Sequence, residues 1–150
     1  MPLSSNKPTT ALAFDFGTRS IGTAFGQSLT GSARELQPLP AKDGKPDWNR
    51  VQKLLDEWQP HTLLVGLPLN MDGSESEFGA RARKFGRRLH GRTGLPVEYV
   101  DERLSTRAAK EEARERGHRG NYADDPVDSI AARIILEDWL RSRSLETGDG

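Results

Sequence analysis

The sequence of 150 residues contains no cysteine, which excludes a disulfide framework, a thiolate zinc site and a cysteine nucleophile together. Histidine is scarce: His61, His90 and His118 are scattered, which argues against a histidine-based metal centre. No run approaches the roughly 18 apolar residues of a membrane span. The start lacks the charged, then apolar, then small-residue order of a secretory signal, so a cytoplasmic location is expected. Net charge is also absent, with 22 basic residues against 22 acidic ones. What is present is enough chain for one domain of ordinary size with a core of its own.

The zero total hides a segregation. Residues 79–119 carry 12 basic and 6 acidic side chains, whereas residues 1–78 carry 7 and 9 and residues 120–150 carry 3 and 7. The sharpest block is GARARKFGRRLHGR, Gly79 to Arg92, which holds Arg81, Arg83, Lys84, Arg87, Arg88 and Arg92 and no acid. Such blocks attract polyanions, because each neutralised phosphate releases condensed counterions. A solvated helix face is the commoner explanation of charge alone.

Residues 1–10 read as a flexible leader, 11–141 as a single domain and 142–150 as a flexible tail. Ala11–Phe16 and Ile21–Gly26 read as a hairpin of apolar strands, with a weaker third strand within Thr30–Leu36. Pro38, Pro40, Gly44 and Pro46 mark a loop. Asp47 then caps a helix that places Val51, Leu54, Leu55 and Trp58 on one face. Thr62–Leu67 is a continuous apolar run, the pattern of a strand buried on both faces. Ser74 and Glu77 have the spacing of a capping box, and the helix after them stacks Phe78, Ala82, Phe85 and Leu89 beside Arg81, Lys84 and Arg88. Pro96–Val100 is a further strand, and Ser105 or Thr106 caps a charged helix that runs out near Gly117. Asp125 fits an N-cap, Pro126 N1 and Asp128 N3 of a last helix, buried through Ile130, Ile134 and Trp139 to about Leu140. The order implies an α/β fold: a mixed five-stranded sheet, beginning as an antiparallel meander, with helices packed on it.

Three acids stand in costly places. Asp15 lies inside the apolar run of the first strand, where a carboxylate needs compensation for lost water. Glu102 follows the end of a buried strand, with Asp101 beside it as a competitor. Asp128 sits in the first turn of an apolar helix, where the helix dipole alone also accounts for it. The first strand neighbours Thr62–Leu67 in the expected sheet, and the last helix can bring its start over the same region. Three carboxylates that converge without basic partners repel one another unless divalent cations lie between them, and magnesium suits oxygen ligands.

The strings AFDFGTRSIGTAFG, VGLPLNMDGSE, ARARKFGRRLHGR, DERLSTRAA and VDSIAARIILEDWL resemble, in unbroken order from Leu12 to Leu140, the YqgF/RuvX family. The resemblance implies a ribonuclease H-like fold. Members are described as Holliday junction resolvases and as nucleases that mature the 5′ end of the small-subunit ribosomal RNA precursor. It further implies that Asp15, Glu102 and Asp128 are the acidic active-site positions, the same three singled out above. Asn70, Asp72, Ser105 and Thr106 match family motifs without assigned roles. Two departures stand out. Related junction resolvases carry a fourth acid one helical turn after the last aspartate, where this chain has Ala131, and the segment YADDPVDS is acidic at Asp124 and Asp125 where the family is often basic.

The expected reaction is hydrolysis of a phosphodiester bond with two magnesium or manganese ions held by Asp15, Glu102 and Asp128. Arg81, Lys84 and Arg88, with Arg19 and Arg103, are the expected backbone contacts, and they carry no sequence information. Precursor ribosomal RNA is the first substrate candidate and branched DNA the second, with association to ribosomal particles and a monomer or weak homodimer as the partner expectations. A non-catalytic RNA-binding assembly factor is the alternative of another class. An actin-type ATP-binding protein shares D-x-G-T after its first strand, but needs two such domains to close on its nucleotide.

Overall fold

The central strand is built from small and large residues in alternation. In β1 (Thr10–Asp15) the side chains of Ala11 and Ala13 face one side of the sheet and those of Leu12 and Phe14 the other, and all four are fully buried. The computed structural model describes residues 9–70, 72–101, 111–112, 115 and 129–148, with side chains in the last stretch through 142. Among the described residues one sheet has six strands in the order β4-β3-β2-β1-β5-β6. These are β1, β2 (Ser20–Gln27), β3 (Ser32–Lys42), β4 (Lys45–Pro46), β5 (Thr62–Leu67) and β6 (Val97–Asp101). The meander β1–β2–β3–β4 is antiparallel, whereas β5 joins β1, and β6 joins β5, in parallel. The expected mixed sheet is therefore present, with six strands in place of five.

The extra strand comes from the segment expected to be a loop. Strand β3 runs on through Pro38 and Pro40, and Asp43 and Gly44 turn it back into β4 with φ of 51° and 80°. Two consecutive positive-φ residues make the tight turn whose twist matches a hairpin, and Asp-Gly is a preferred pair for it. Gly44 also lies so close to Phe16 that a Cβ there would meet the ring at 2.8 Å. The prolines are tolerated for separate reasons. Pro38 falls where the register shifts by one residue, between the Ile21↔Leu39 and Thr23↔Leu36 pairs. At Pro40 the β2-facing donor is the next amide, Ala41 N–H to the Arg19 carbonyl at 2.9 Å, so the proline nitrogen points to the sheet edge.

Helix α1 (Trp48–Trp58) starts as expected, with Asp47 accepting a hydrogen bond from the Asn49 amide at 2.9 Å. Helix α2 (Glu77–Thr93) does not: its cap is Ser76, which accepts from the Gly79 amide at 2.9 Å. Ser74 instead bonds Asp72 and Asn70 within the preceding turn, so the 74/77 spacing is not a capping box. The last helix, α3 (Ile130–Gly148), extends past Leu140, since no glycine or proline interrupts residues 141–147. Its innermost side chains are Ile130, as expected, with Ala132, Ile135, Leu136 and Leu140, while Ile134 and Trp139, also expected in the core, are half-buried. Residues 111–112 and 115 are helical; the expected caps at Ser105 or Thr106 and at Asp125–Asp128 lie outside the described residues.

Two layers result. On one face α1 and α2 cover Leu12, Phe14, Phe16, Leu63 and Val65. On the other, α3 covers Ala11, Ala13, Ala24 and Leu64. The small residues let α3 approach closely: a Cβ on Gly26 of β2 would meet Leu136 at 3.0 Å and the Ser32 carbonyl at 2.9 Å. No helix among the described residues is long and apolar enough to cross a membrane.

Candidate active site

Asp15 is the last residue of β1, one position past the Phe14↔Val65 pair with β5, and is half-buried. Alternation from Ala11 and Ala13 gives it the α3 face of the sheet. Its partner across β2 is Gly22, so no neighbouring side chain competes for that space on the β2 side. Thr23 follows Gly22, and its amide donates at 3.1 Å to the hydroxyl of Ser129, the residue immediately before α3. The same hydroxyl donates to the Leu36 carbonyl at 2.6 Å. The shift of register between β2 and β3 leaves that amide and that carbonyl without each other, and Ser129, itself fully buried, bridges them. The start of α3 is thus fastened one register position from Asp15.

Glu102, Asp128 and Arg103 lie outside the described residues, as do Ser105, Thr106, Asp124, Asp125 and His118. Their chain neighbours are informative. Val100 pairs with Gly66, the residue after Val65, and packs with the α3-side cluster. Tyr99 belongs to the α2-side cluster, so Asp101 alternates onto the side away from Asp15. Asp101 is exposed at the strand end, which sets it aside as a competitor on the Asp15 face. Ala131, at the position where related junction resolvases carry a fourth acid, is buried in the first turn of α3. Among the described residues no three metal-ligating side chains cluster.

The basic residues divide by role. Arg19 is exposed in the turn between β1 and β2. Arg81 donates to the carbonyl of Asp43 at 2.8 Å and pairs with its carboxylate at 3.2 Å, with its guanidinium 6.0 Å from the Phe16 ring, so it tethers the β3–β4 hairpin to α2. Arg83 pairs with Glu75 and lies over Tyr99. Lys84 and Arg88 are exposed and open onto a cleft beside the hairpin. Two histidines have structural work: His61 Nδ1 accepts from the Thr10 amide at 3.1 Å, and His90 Nδ1 bonds the Leu95 carbonyl at 2.8 Å. Asn70 and Asp72 build the turn before α2 with Ser74.

Sequence reasoning missed two residues near the site. Ser129 is a lone polar residue at the head of an apolar helix, which was the available signal. Arg133, one turn later, pairs with Glu35 at 2.6 Å, Glu112 at 2.5 Å and Glu137 at 3.6 Å, tying α3 to β3 and to residues 111–112. The hydrogen bond it donates to Glu112 raises its pKa above the ordinary guanidinium value, against the opposing effect of burial.

Residues 9–142 match the family model RuvX, Holliday junction resolvase. A protein of Saccharophagus degradans named "Putative pre-16S rRNA nuclease" is 64% identical over 132 residues, which are 88% of this chain and 93% of that one. A Chromohalobacter salexigens protein of the same name is 66% identical over 129 residues, 86% of this chain and 87% of its own. Among solved structures, RuvC of T. thermophilus in complex with a Holliday junction substrate superposes with a TM-score of 0.55 at 17% identity, covering 90% of this chain and 95% of that one. That likeness carries the fold, which is ribonuclease H-like as the resemblance implied. With the family model spanning nearly the whole described sheet and its helices, the chain belongs to the RuvX (YqgF) family.

Proposed function

We propose that the protein is a divalent-metal-dependent nuclease that hydrolyses phosphodiester bonds, with Asp15, Glu102 and Asp128 as its carboxylates and the 5′ end of precursor 16S ribosomal RNA as its substrate. The observation that carries the reading is the pairing of Asp15, at the end of the central strand, with a start of α3 fastened one register position away by Ser129. In the sequence Asp128 directly precedes Ser129 and Glu102 stands two residues after Val100, which packs on the face to which Asp15 alternates, and that chain order supports taking the three as one site. The names of the relatives support the RNA substrate.

The donor set suits magnesium or manganese: carboxylate oxygens, no thiolate and, among the described residues, no histidine at this end of the sheet. When bound, such ions supply Lewis-acid stabilisation of charge on the phosphate oxygens and a water acidic enough to attack. The chain's own contribution, among the described residues, is to fix Asp15 and the start of α3. Asp15 is fixed by strand pairing on both sides of β1, and the residue after Asp128 by two hydrogen bonds.

The family description favours a second reading, resolution of branched DNA, which needs a two-fold pair of sites to cut symmetric strands. The test is incubation of purified protein with Mg²⁺ or Mn²⁺, precursor ribosomal RNA and a four-way DNA junction, beside Asp15→Asn. Cleavage of the RNA alone, abolished in the variant, is the expected result. Paired symmetric cuts in the junction would replace the first reading with the second. No cleavage of either would sink both and leave an RNA-binding assembly role.

A further inference from the structure

On the side of the sheet away from Asp15, but at the same end, a cleft of about 130 Å³ opens between the β3–β4 hairpin, the first turn of α1 and α2. Its wall is aromatic: Phe16, Trp48 and Phe85 line it, with Phe85 5.5 Å from Phe16 and 5.9 Å from Trp48 between ring centroids. Arg92 lies over the Trp48 indole at 4.3 Å, so the indole is held on the side of α2 as well. The rim is cationic: Lys45 from the hairpin, and Lys84 and Arg88 one turn apart on α2, are exposed, and none has a carboxylate partner among the described residues. The one acid among the lining residues, Asp43, is already engaged by Arg81.

Three like charges gathered over an apolar wall are mutually repulsive, and a ligand with separate phosphates and a flat ring relieves them while covering the wall. That is the chemistry of a nucleotide strand, since single-strand sites combine a positive groove with apolar or aromatic surface for the bases. The position adds the connection. Phe16 follows Asp15, their Cα atoms about 3.8 Å apart, so a strand that bends over the sheet end reaches both faces. We propose that this cleft is a second binding site, which holds a single-stranded stretch of nucleic acid with its phosphates on Lys45, Lys84 and Arg88 and one base against the wall of Phe16, Pro46 and Trp48. The proposal rests on the nuclease reading only for the identity of the strand.

The test is fluorescence anisotropy of a short labelled single-stranded RNA with the full chain in EDTA, where no cleavage occurs. Lys84→Gln with Arg88→Gln is expected to weaken binding about tenfold or more, and to lower the log–log salt slope by roughly 1.4, at about 0.7 for each phosphate left without its cation. The charge-matched pair Lys53→Gln with Arg87→Gln, exposed and outside the cleft, is expected to change affinity less than about twofold. Wild type is expected to prefer the RNA over an abasic strand of the same length by about fivefold or more, and Trp48→Leu to close that gap. Because the two strands are compared on one variant, a partly destabilised Trp48→Leu protein still reports. Equal losses from both charge pairs, no base preference, or competition by polyglutamate as strong as that by RNA would each overturn the proposal. Wild type that binds in EDTA yet cuts nothing with metal restored would overturn the nuclease reading and leave the cleft standing, and Asp15→Asn is expected to keep the binding.

Discussion

Ser129→Ala tests whether α3 is fastened to the sheet as described. The substitution removes one oxygen from a site with no solvent access, and two main-chain groups lose their partner: the Thr23 amide and the Leu36 carbonyl. A buried polar group left unsatisfied costs about 1–3 kcal/mol, so two give roughly 2–6 kcal/mol, with about 3 kcal/mol as the expectation for groups at the edge of the sheet's buried region. That is a large share of the roughly 5–15 kcal/mol that holds a domain together. At about 2–4 °C per kcal/mol for a chain of this size, the melting temperature should fall by roughly 6–12 °C. Urea titration followed by tryptophan fluorescence gives the number directly, provided the slope is unchanged. Thr23→Val is the internal comparison, because it orphans only the Gln37 carbonyl that Thr23 Oγ1 reaches at 2.9 Å, and should cost about 1 kcal/mol. A loss below about 1 kcal/mol for Ser129→Ala, or one no larger than for Thr23→Val, would refute the bridging role.

Two further perturbations probe the same layer. Arg133→Gln removes one guanidinium partner from Glu35, whose side chain is 10% exposed; since Arg133 itself is 21% exposed, the loss expected by urea titration is about 2 kcal/mol, below that of a fully buried pair. The raised guanidinium pKa sets the sign: its contribution is present at every pH below the ordinary guanidinium value and fades only as pH rises above it, so the gap between wild type and variant should stay flat from about pH 6 to 10. A gap that shrinks within that range contradicts the assignment. Gly26→Val places side-chain atoms against Leu136 and the Ser32 carbonyl, and should destabilise by about 1–3 kcal/mol in the same assay, whereas an unchanged midpoint would mean that α3 stands further off the sheet.

Much of this protein is readable because its elements are local. The alternation in TALAFD, the unbroken run TLLVGL, the Asp47 cap and the stripe Phe78–Ala82–Phe85–Leu89 each follow from residues within a turn or two of one another, and the structure has all of them. The Asp43–Gly44 hairpin was equally local, and the sequence carries its signal; the neighbouring prolines obscured it, because whether a proline breaks a strand depends on which edge its nitrogen faces. The cap at Ser76 rather than Ser74 is a contest between two serines of the same kind, decided by the turn that Asn70 and Asp72 build with Ser74.

The chemistry divides along the same line. By itself the sequence determined that Asp15 is an acid attached to a buried strand, that a basic stripe lies along one helix, and which family the chain resembles, since strand and helix periods are set by neighbours in the chain. The tertiary structure alone decided that Asp101 alternates away from Asp15, that Arg81 tethers a hairpin while Lys84 and Arg88 stay open, and that Ser129 bridges a gap between two strands. Each of those depends on partners many residues distant: 106 positions separate Thr23 from Ser129, and 38 separate Asp43 from Arg81. No periodicity encodes such a pairing, because it exists only once the sheet has closed its register and the helices have come down on its two faces.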